Sequence, residues 1–168
     1  ELIKLVESNT KNIQCIPYSL PQFKINDGTT YIDYEGKSYK LNIFGDHNLQ
    51  NIEGALHICS SLGIKSEDFY KAITSFNGAS NRLELIYKSS NSTIFKDFAH
   101  SPSKVFASCS AISDQYFNLK KVFCLELHTY SSLDNKFIEL YSGSLNLSDE
   151  AIIFYDLDNL KLKKRNTI

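Results

Sequence analysis

Three short segments of this 168-residue chain bring together side chains able to bind or react. The first is Gly45-Asp46-His47-Asn48-Leu49-Gln50-Asn51, where a strand-like pattern gives way to a helical one. A helix N-terminus carries unpaired N–H groups, and Asn48 and Asn51, three residues apart, fall on nearly the same face. A carboxamide offers a donor and an acceptor side by side, the same pair that the edge of an adenine presents. The simpler reading is that Asp46 or Asn48 caps the helix and His47 is a half-buried polar residue.

The second segment is Lys96-Asp97-Phe98-Ala99-His100-Ser101-Pro102, at the carboxyl end of a strand leading into a helix. Ligands of open parallel sheets collect at that edge. There an ionised Asp97 can hold ribose hydroxyls and His100 can orient a reacting group. A hydrolytic triad is disfavoured: no G-x-S-x-G elbow exists, and the Asp, His and Ser are neighbours in sequence. The third segment, Glu126-Leu127-His128-Thr129-Tyr130-Ser131-Ser132, sits at the matching edge of the next strand. Glu126 and His128 share a face at period two, but two ligands without a third make a poor metal site, and no metal-binding residues are assigned. His128, Thr129 and Ser131 suit a polar substrate, or the hydroxyls simply cap the next helix. Arg82 stands alone after the Asn77-Gly78-Ala79-Ser80-Asn81 break. At a hinge its guanidinium can clamp a phosphate; elsewhere it is a solvated surface charge. A phosphate loop of the G-x-x-x-x-G-K-[ST] type is absent.

The elements that must carry these groups follow from period and punctuation. Residues 1–7 read as the end of a helix and Asn12–Tyr18 as a short strand closed by Pro17 and Pro21. Thr29–Phe44 reads as a hairpin turning at Glu35-Gly36. Leu49, Ile52, Leu56, Cys59 and Leu62 recur at helical spacing before Gly63, and a second helix begins near Ser66 with Phe69, Ile73 and Phe76 inward. Beyond Leu83 the pattern alternates. A strand over Thr93–Phe98 precedes a helix capped by Ser101-Pro102, with Val105, Cys109, Ile112 and Tyr116 inward. Lys121–Leu127 follows as a strand with the continuous apolar run of a buried parallel sheet. A helix capped by Ser131 or Ser132 carries Leu133, Phe137 and Leu140, and a strand covers Ala151–Tyr155. The fold class is α/β: a hairpin with helices, then a Rossmann-like, mostly parallel sheet. The domain boundary falls at 81/82.

Composition narrows the rest. Eighteen basic against nineteen acidic residues give a net charge of −1, which argues against nucleic acid as a partner. No apolar run approaches the ~20 residues of a membrane span. Cys15, Cys59, Cys109 and Cys124 are far apart, among apolar neighbours, and suit a reducing cytoplasm. The basic stretch Lys161-Leu-Lys-Lys-Arg165 reads as an edge strand sooner than a nucleic-acid patch. With no methionine in the sequence, the chain reads as a piece of a longer protein.

In register, Gly45-x-His47-Asn48-x-x-Asn51, Phe76-x-Gly78-Ala79-x-x-Arg82-Leu83-Glu84 and Asp97-Phe98-Ala99-His100-Ser101-Pro102 resemble the Mur ligases, ATP-dependent amide ligases of peptidoglycan synthesis. The resemblance implies the C-terminal part of a central ATP-binding domain (1–81) followed by much of a Rossmann-like C-terminal domain (82–168). It implies a reaction in which ATP activates a muramyl carboxylate as an acyl phosphate that an amine then attacks. The implied cofactors are ATP and Mg²⁺, the Mg²⁺ ligands lying outside this chain. The implied partners are UDP-N-acetylmuramate and a peptide or amino acid. By motif, His47, Asn48, Asn51 and Asp97 serve the nucleotide, Arg82 and His100 are catalytic, and His128, Thr129 and Ser131 face the substrate. Arg82-Leu83-Glu84 and the 126–133 block look most like those members that attach a preformed tripeptide, with the L-alanine-adding members second. Where the latter carry arginines near His128, this chain has Thr129, Tyr130 and Ser131. Phe98 stands where a tyrosine is common. Lacking the phosphate loop, this chain by itself is expected to be inactive.

Overall fold

The computed structural model describes residues 15–129, 131–156 and 158. The expectations for residues 1–14, Tyr130 and the basic stretch 161–165 lie outside them. The first elements form an antiparallel meander of β1 (Phe23–Asn26), β2 (Thr29–Tyr34) and β3 (Lys37–Lys40). Its two turns are alike. Asp27-Gly28 has φ of 48° and 67°, and Glu35-Gly36 has 48° and 75°. Paired positive φ is the geometry that matches strand twist across a two-residue loop. The hairpin expected over 29–44 is therefore present, with a third strand, β1, ahead of it. The strand expected over Asn12–Tyr18 is not found in its described part: residues 15–22 carry no ladder, consistent with the donors that Pro17 and Pro21 remove.

Helix α1 (Asp46–Ser61) buries Leu49, Ile52 and Leu56; of the rest of the predicted stripe, Cys59 is half-buried and Leu62, past the helix end, is exposed. It ends at Gly63, whose φ is 84°. There Gly63 N–H donates to Ser60 O at 3.0 Å and Ile64 N–H to Cys59 O at 3.0 Å, closing the helix end. Helix α2 (Ser66–Ile73) opens on Glu67 and Asp68 and buries Phe69 and Tyr70. Ile32, Tyr39, Leu41, Leu49, Ile52, Leu56, Phe69 and Tyr70 form one core between the meander and these helices.

Beyond the Asn77–Asn81 break, β4 (Glu84–Lys88) and β5 (Thr93–Lys96) pair as an antiparallel hairpin with an irregularity at Leu85/Tyr87. Helix α3 (Pro102–Gln115) follows. Strands β6 (Val122–Glu126) and β7 (Glu150–Phe154) run parallel, so the α/β class with a parallel sheet is correct. Val105, Cys109, Leu125 and Leu127 form a second core.

Four details differ from the sequence reading. Among the described residues β5 makes no ladder with β6; a groove of about 650 Å³ lies between them over α3. Strand β6 is packed on one face only, since Val122 and Cys124 are exposed. Ser131–Leu133 is a single 3₁₀ turn, and the next helix, α4 (Asn135–Ile138), is capped by Asp134. That carboxylate accepts from Lys136 and Phe137 N–H. Finally, the cysteines are all free but unequal: Cys15 and Cys124 are exposed, while burial pushes the Cys109 thiol up to about 11. Among the described residues no helix is long and apolar enough to cross a membrane.

Helix α3 also buries Ala111 and Gln115, a second face toward the first half of the chain. There Gly45 approaches so closely that a Cβ built on it would lie 2.6 Å from the Ala111 Cβ. Its φ of 89° independently disfavours a side chain. Beside it Phe44, Phe95 and Tyr116 pack mutually, with ring centroids 5.3, 6.0 and 5.7 Å apart. Gly45→Ala is expected to destabilise the protein by about 2–4 kcal/mol, combining left-handed strain with overpacking. Urea denaturation checks this, and Ala111→Gly in the same chain should recover part of the loss.

Candidate functional site

The two halves enclose a cleft of about 800 Å³. Its walls are mostly apolar, from Ile43, Ile52, Ala55, Ile73, Phe76 and Ala107, and its polar lining includes His47, Asn48, Asn51, Arg82, Asp97, Lys104 and Ser108. Side chains from α1, the 77–83 segment, the end of β5 and the first half of α3 thus converge on one space. Of the nine sequence-predicted site residues, five are in it: His47, Asn48, Asn51, Arg82 and Asp97.

Asn48 and Asn51 are placed differently. The Asn48 Nδ2 donates to Phe44 O at 2.9 Å, holding the backbone just before α1; the capping reading of Asp46 or Asn48 is not met, since Gly45 is the N-cap and no side chain caps the helix. Asn51 is exposed in the cleft wall, and its carboxamide makes no hydrogen bond among the described residues. His47 is half-buried, and burial pushes its pKa below the ordinary 6.5. The Arg82 charge adds to that, and Asp97 and Asp46 oppose it. The site therefore favours a neutral imidazole.

Arg82 is presented by a constrained segment. It stands between Asn81 and Leu83, whose φ are 56° and 45°, both in the left-handed region that non-glycine residues rarely occupy. The segment is held from both ends. Glu84 accepts from Asn81 N–H at 2.7 Å and Ser80 Oγ at 3.1 Å, which lowers its pKa. Asp97 Oδ1 accepts from Phe98 N–H at 2.9 Å and Leu83 N–H at 3.3 Å, and its Oδ2 accepts from the Ser108 hydroxyl. Asp97 thus spends its acceptors on the polypeptide, fixing the backbone at Leu83 and Phe98. Arg82 itself is exposed and pairs with no carboxylate among the described residues.

Lys104 and Ser108 escaped the sequence reading. Lys104 lies in the first turn of α3, on the cleft, again without a carboxylate partner among the described residues. A lysine near a helix N-terminus opposes the helix dipole, and that local conflict was the available signal. Ser108 is one turn further along and fastens Asp97.

His100, His128, Thr129 and Ser131 are not in the cleft. The His100 and His128 rings flank Phe98, with centroids 5.1 and 5.9 Å away, and the His100 Nδ1 is 3.0 Å from Phe98 O. Thr129 Oγ1 accepts from Ser132 N–H at 3.1 Å and lies 3.4 Å from Ser131 Oγ, while Ser132 Oγ donates to Thr129 O at 2.9 Å. These hydroxyls shape a local turn. No group of three His, Cys, Asp or Glu among the described residues could hold a metal ion.

No family model matches the chain. It is 28% identical over 178 residues to the UDP-N-acetylmuramate–L-alanine ligase of Francisella tularensis subsp. mediasiatica, covering 97% of this chain and 39% of that protein. With the enzyme of that name from Francisella philomiragia it shares 28% over 138 residues, covering 78% and 30%. Among solved structures it resembles a UDP-N-acetylmuramate–alanine ligase from Thermotoga maritima, with TM-score 0.66, 19% identity, and coverage of 86% of this chain and 33% of that one. It also resembles an FPGS–AMPPCP–folate complex, with TM-score 0.60, 14% identity, and coverage of 88% and 39%. These likenesses give the chain the fold of that group of ligases and support the Mur ligase resemblance. The chain spans about two fifths of the length of the first-mentioned curated relative.

A neutral, depressed His47 binds its proton in the unfolded chain before it does in the folded one. Its contribution to stability is present above pH 6.5 and is lost as pH falls from there toward the lower folded pKa. Imidazole proton chemical shifts should give a His47 midpoint below 6.5, and His47→Gln should flatten the fall in urea midpoint on the acid side.

Proposed function

We propose that this chain is the portion of an ATP-dependent Mur-type ligase in which the central and C-terminal domains, divided at 81/82, meet around the nucleotide. The observation that carries the reading is a charge imbalance: Arg82 and Lys104 lack carboxylate partners among the described residues, while Asp97, the cleft's carboxylate, is taken up by the hinge. An apolar cleft with two uncommitted cations fits a polyanion bearing a flat base. The free carboxamide of Asn51, with the unspent part of Asn48 and the neutral His47, would meet the adenine. Arg82, with Lys104, would meet the phosphates, where a guanidinium aimed at developing charge acts on turnover more than on binding. Mg²⁺ would neutralise phosphate charge, held by residues outside this chain.

The amine is better read as L-alanine than as a tripeptide. The relatives of 28% identity carry the alanine-ligase name, and the Thr129 and Ser131 hydroxyls of the segment that favoured another amine lie 3.4 Å apart in a local turn that Ser132 closes. His100 and His128, beside Phe98, would face that substrate and the UDP-N-acetylmuramate acceptor in the cytoplasm.

The test is ATP-dependent phosphate release by the intact ligase containing this chain, with UDP-N-acetylmuramate and either L-alanine or the tripeptide. Release with alanine is expected; release with the tripeptide alone restores the peptide reading. Asn51→Ala should weaken ATP binding by about tenfold, the scale of one lost hydrogen-bonded contact. Arg82→Ala should lower kcat by roughly a hundredfold with a smaller change in the KM for ATP. Wild-type kinetics in Arg82→Ala would return that residue to a surface charge.

A further inference from the structure

The buried face of α3 toward the first half holds a polar latch. The Gln115 Nε2 donates to Gly28 O at 2.6 Å, and the Thr30 hydroxyl donates to Gln115 Oε1 at 2.9 Å. Thr30 is 2% exposed and Gln115 4%, so the carboxamide uses a donor and an acceptor out of water, across 85 residues of sequence. An unmatched partner there costs the full desolvation of the group. The turn that supplies Gly28 O also touches the Tyr116 ring, 3.5 Å from where a Gly28 Cβ would be.

Position along α3 gives the latch its leverage. The C-terminal end of the helix carries Gln115 and Tyr116, fastened to the β1–β2 turn and the Phe44–Phe95–Tyr116 cluster. Its middle carries Ala111, against Gly45. Its N-terminal half carries Lys104, Ala107 and Ser108, which line the cleft. A helix of 14 residues is about 20 Å long and moves as a rod. Fastened at one end and bearing on a fulcrum at Gly45, it has a fixed angle, and that angle sets the distance from Lys104 to the Asn51 wall of α1.

We propose that Gln115 is a positioning residue that holds the cleft at its ligand-ready width. The proposal rests on reading the cleft as the nucleotide site, but its first test does not need that reading. Without the latch the two halves sample splayed arrangements, and apparent affinity falls by the fraction of molecules still closed. The segment between the halves, which contains Arg82, becomes accessible at the same time.

In the 168-residue chain, trypsin cleavage after Arg82 is compared with cleavage after Lys65, an exposed loop site within the first half. Gln115→Leu and Thr30→Val should raise the Arg82-to-Lys65 ratio by about fivefold to tenfold, and Thr30→Ser, which keeps the hydroxyl, should leave it unchanged. A general loss of stability raises both cleavages together and overturns the proposal, as does an unchanged ratio in Thr30→Val with near-ultraviolet circular dichroism intact. In the intact ligase, Thr30→Val should raise the ATP concentration for half-saturation by the inverse of the fraction of molecules still closed, with kcat within about twofold. If the ratio responds while the wild-type ligase neither binds nor uses ATP, the latch stands and the nucleotide reading falls.

Discussion

The constraint on which the molecule depends is the approach of α3 to the start of α1, where an alanine methyl meets a glycine α-carbon with no room for a further carbon. Close approach brings the N-terminal half of one helix alongside the N-terminal turn of another, and the wedge left between them is the cleft. A larger residue at either point would push the helices apart and move Lys104 and Ser108 away from Asn48 and Asn51. The left-handed backbone at Gly45 serves the same end, since it turns the chain sharply from Phe44, inside the aromatic cluster, into α1. Packing and site geometry are therefore set by the same contact.

The second determinant is how the cleft distributes charge. A half-buried carboxylate beside an arginine ordinarily forms an ion pair, which would neutralise the space. Here Asp97 instead accepts from two backbone N–H groups and a serine hydroxyl. That leaves Arg82 without a carboxylate partner among the described residues while fixing the left-handed residue that follows it. The strain at Asn81 and Leu83 is held by Glu84 and Asp97, and such strain tends to persist where the surroundings over-determine it. Arg82 and Lys104, without carboxylate partners among the described residues, both line the same space, which is the charge pattern on which the proposed function rests.

Much of this was legible in the sequence because the signals were local. The periodicity of Leu49, Ile52 and Leu56, the terminating Gly63, and the turn at Glu35-Gly36 each reported an element through short-range sterics. Strand β1 was overlooked although Asp27-Gly28 is as good a turn as Glu35-Gly36; Pro17 and Pro21 had drawn attention to the wrong side of it. The missing features were those that arise between elements. That α3 buries Gln115 as well as Val105 cannot be read from one helix, because a glutamine inside requires a partner from the β1–β2 turn. Strand β6 looked fully buried from its Val-Phe-Cys-Leu run, yet the described residues cover one of its faces. Five of the nine predicted site residues lie in the cleft, and the four outside it all follow the β5 and β6 strand ends.

That division has a simple origin. Beyond β5, which ends at Lys96, successive side chains fall on opposite sides. Asp97 and Ala99 face the cleft, whereas Phe98 faces away and stacks with His100 and His128. One strand end thus serves two surfaces at once: an odd-numbered side whose carboxylate fixes the hinge beside the cations, and an even-numbered side where an exposed aromatic ring carries two imidazoles. A substitution that shifted the register here by one residue would exchange the two sets, placing Phe98 in the cleft and Asp97 among the imidazoles. The hinge would lose its acceptor and Arg82 would face an aromatic ring, so the segment's register, more than the identity of any one residue in it, keeps the two chemistries apart.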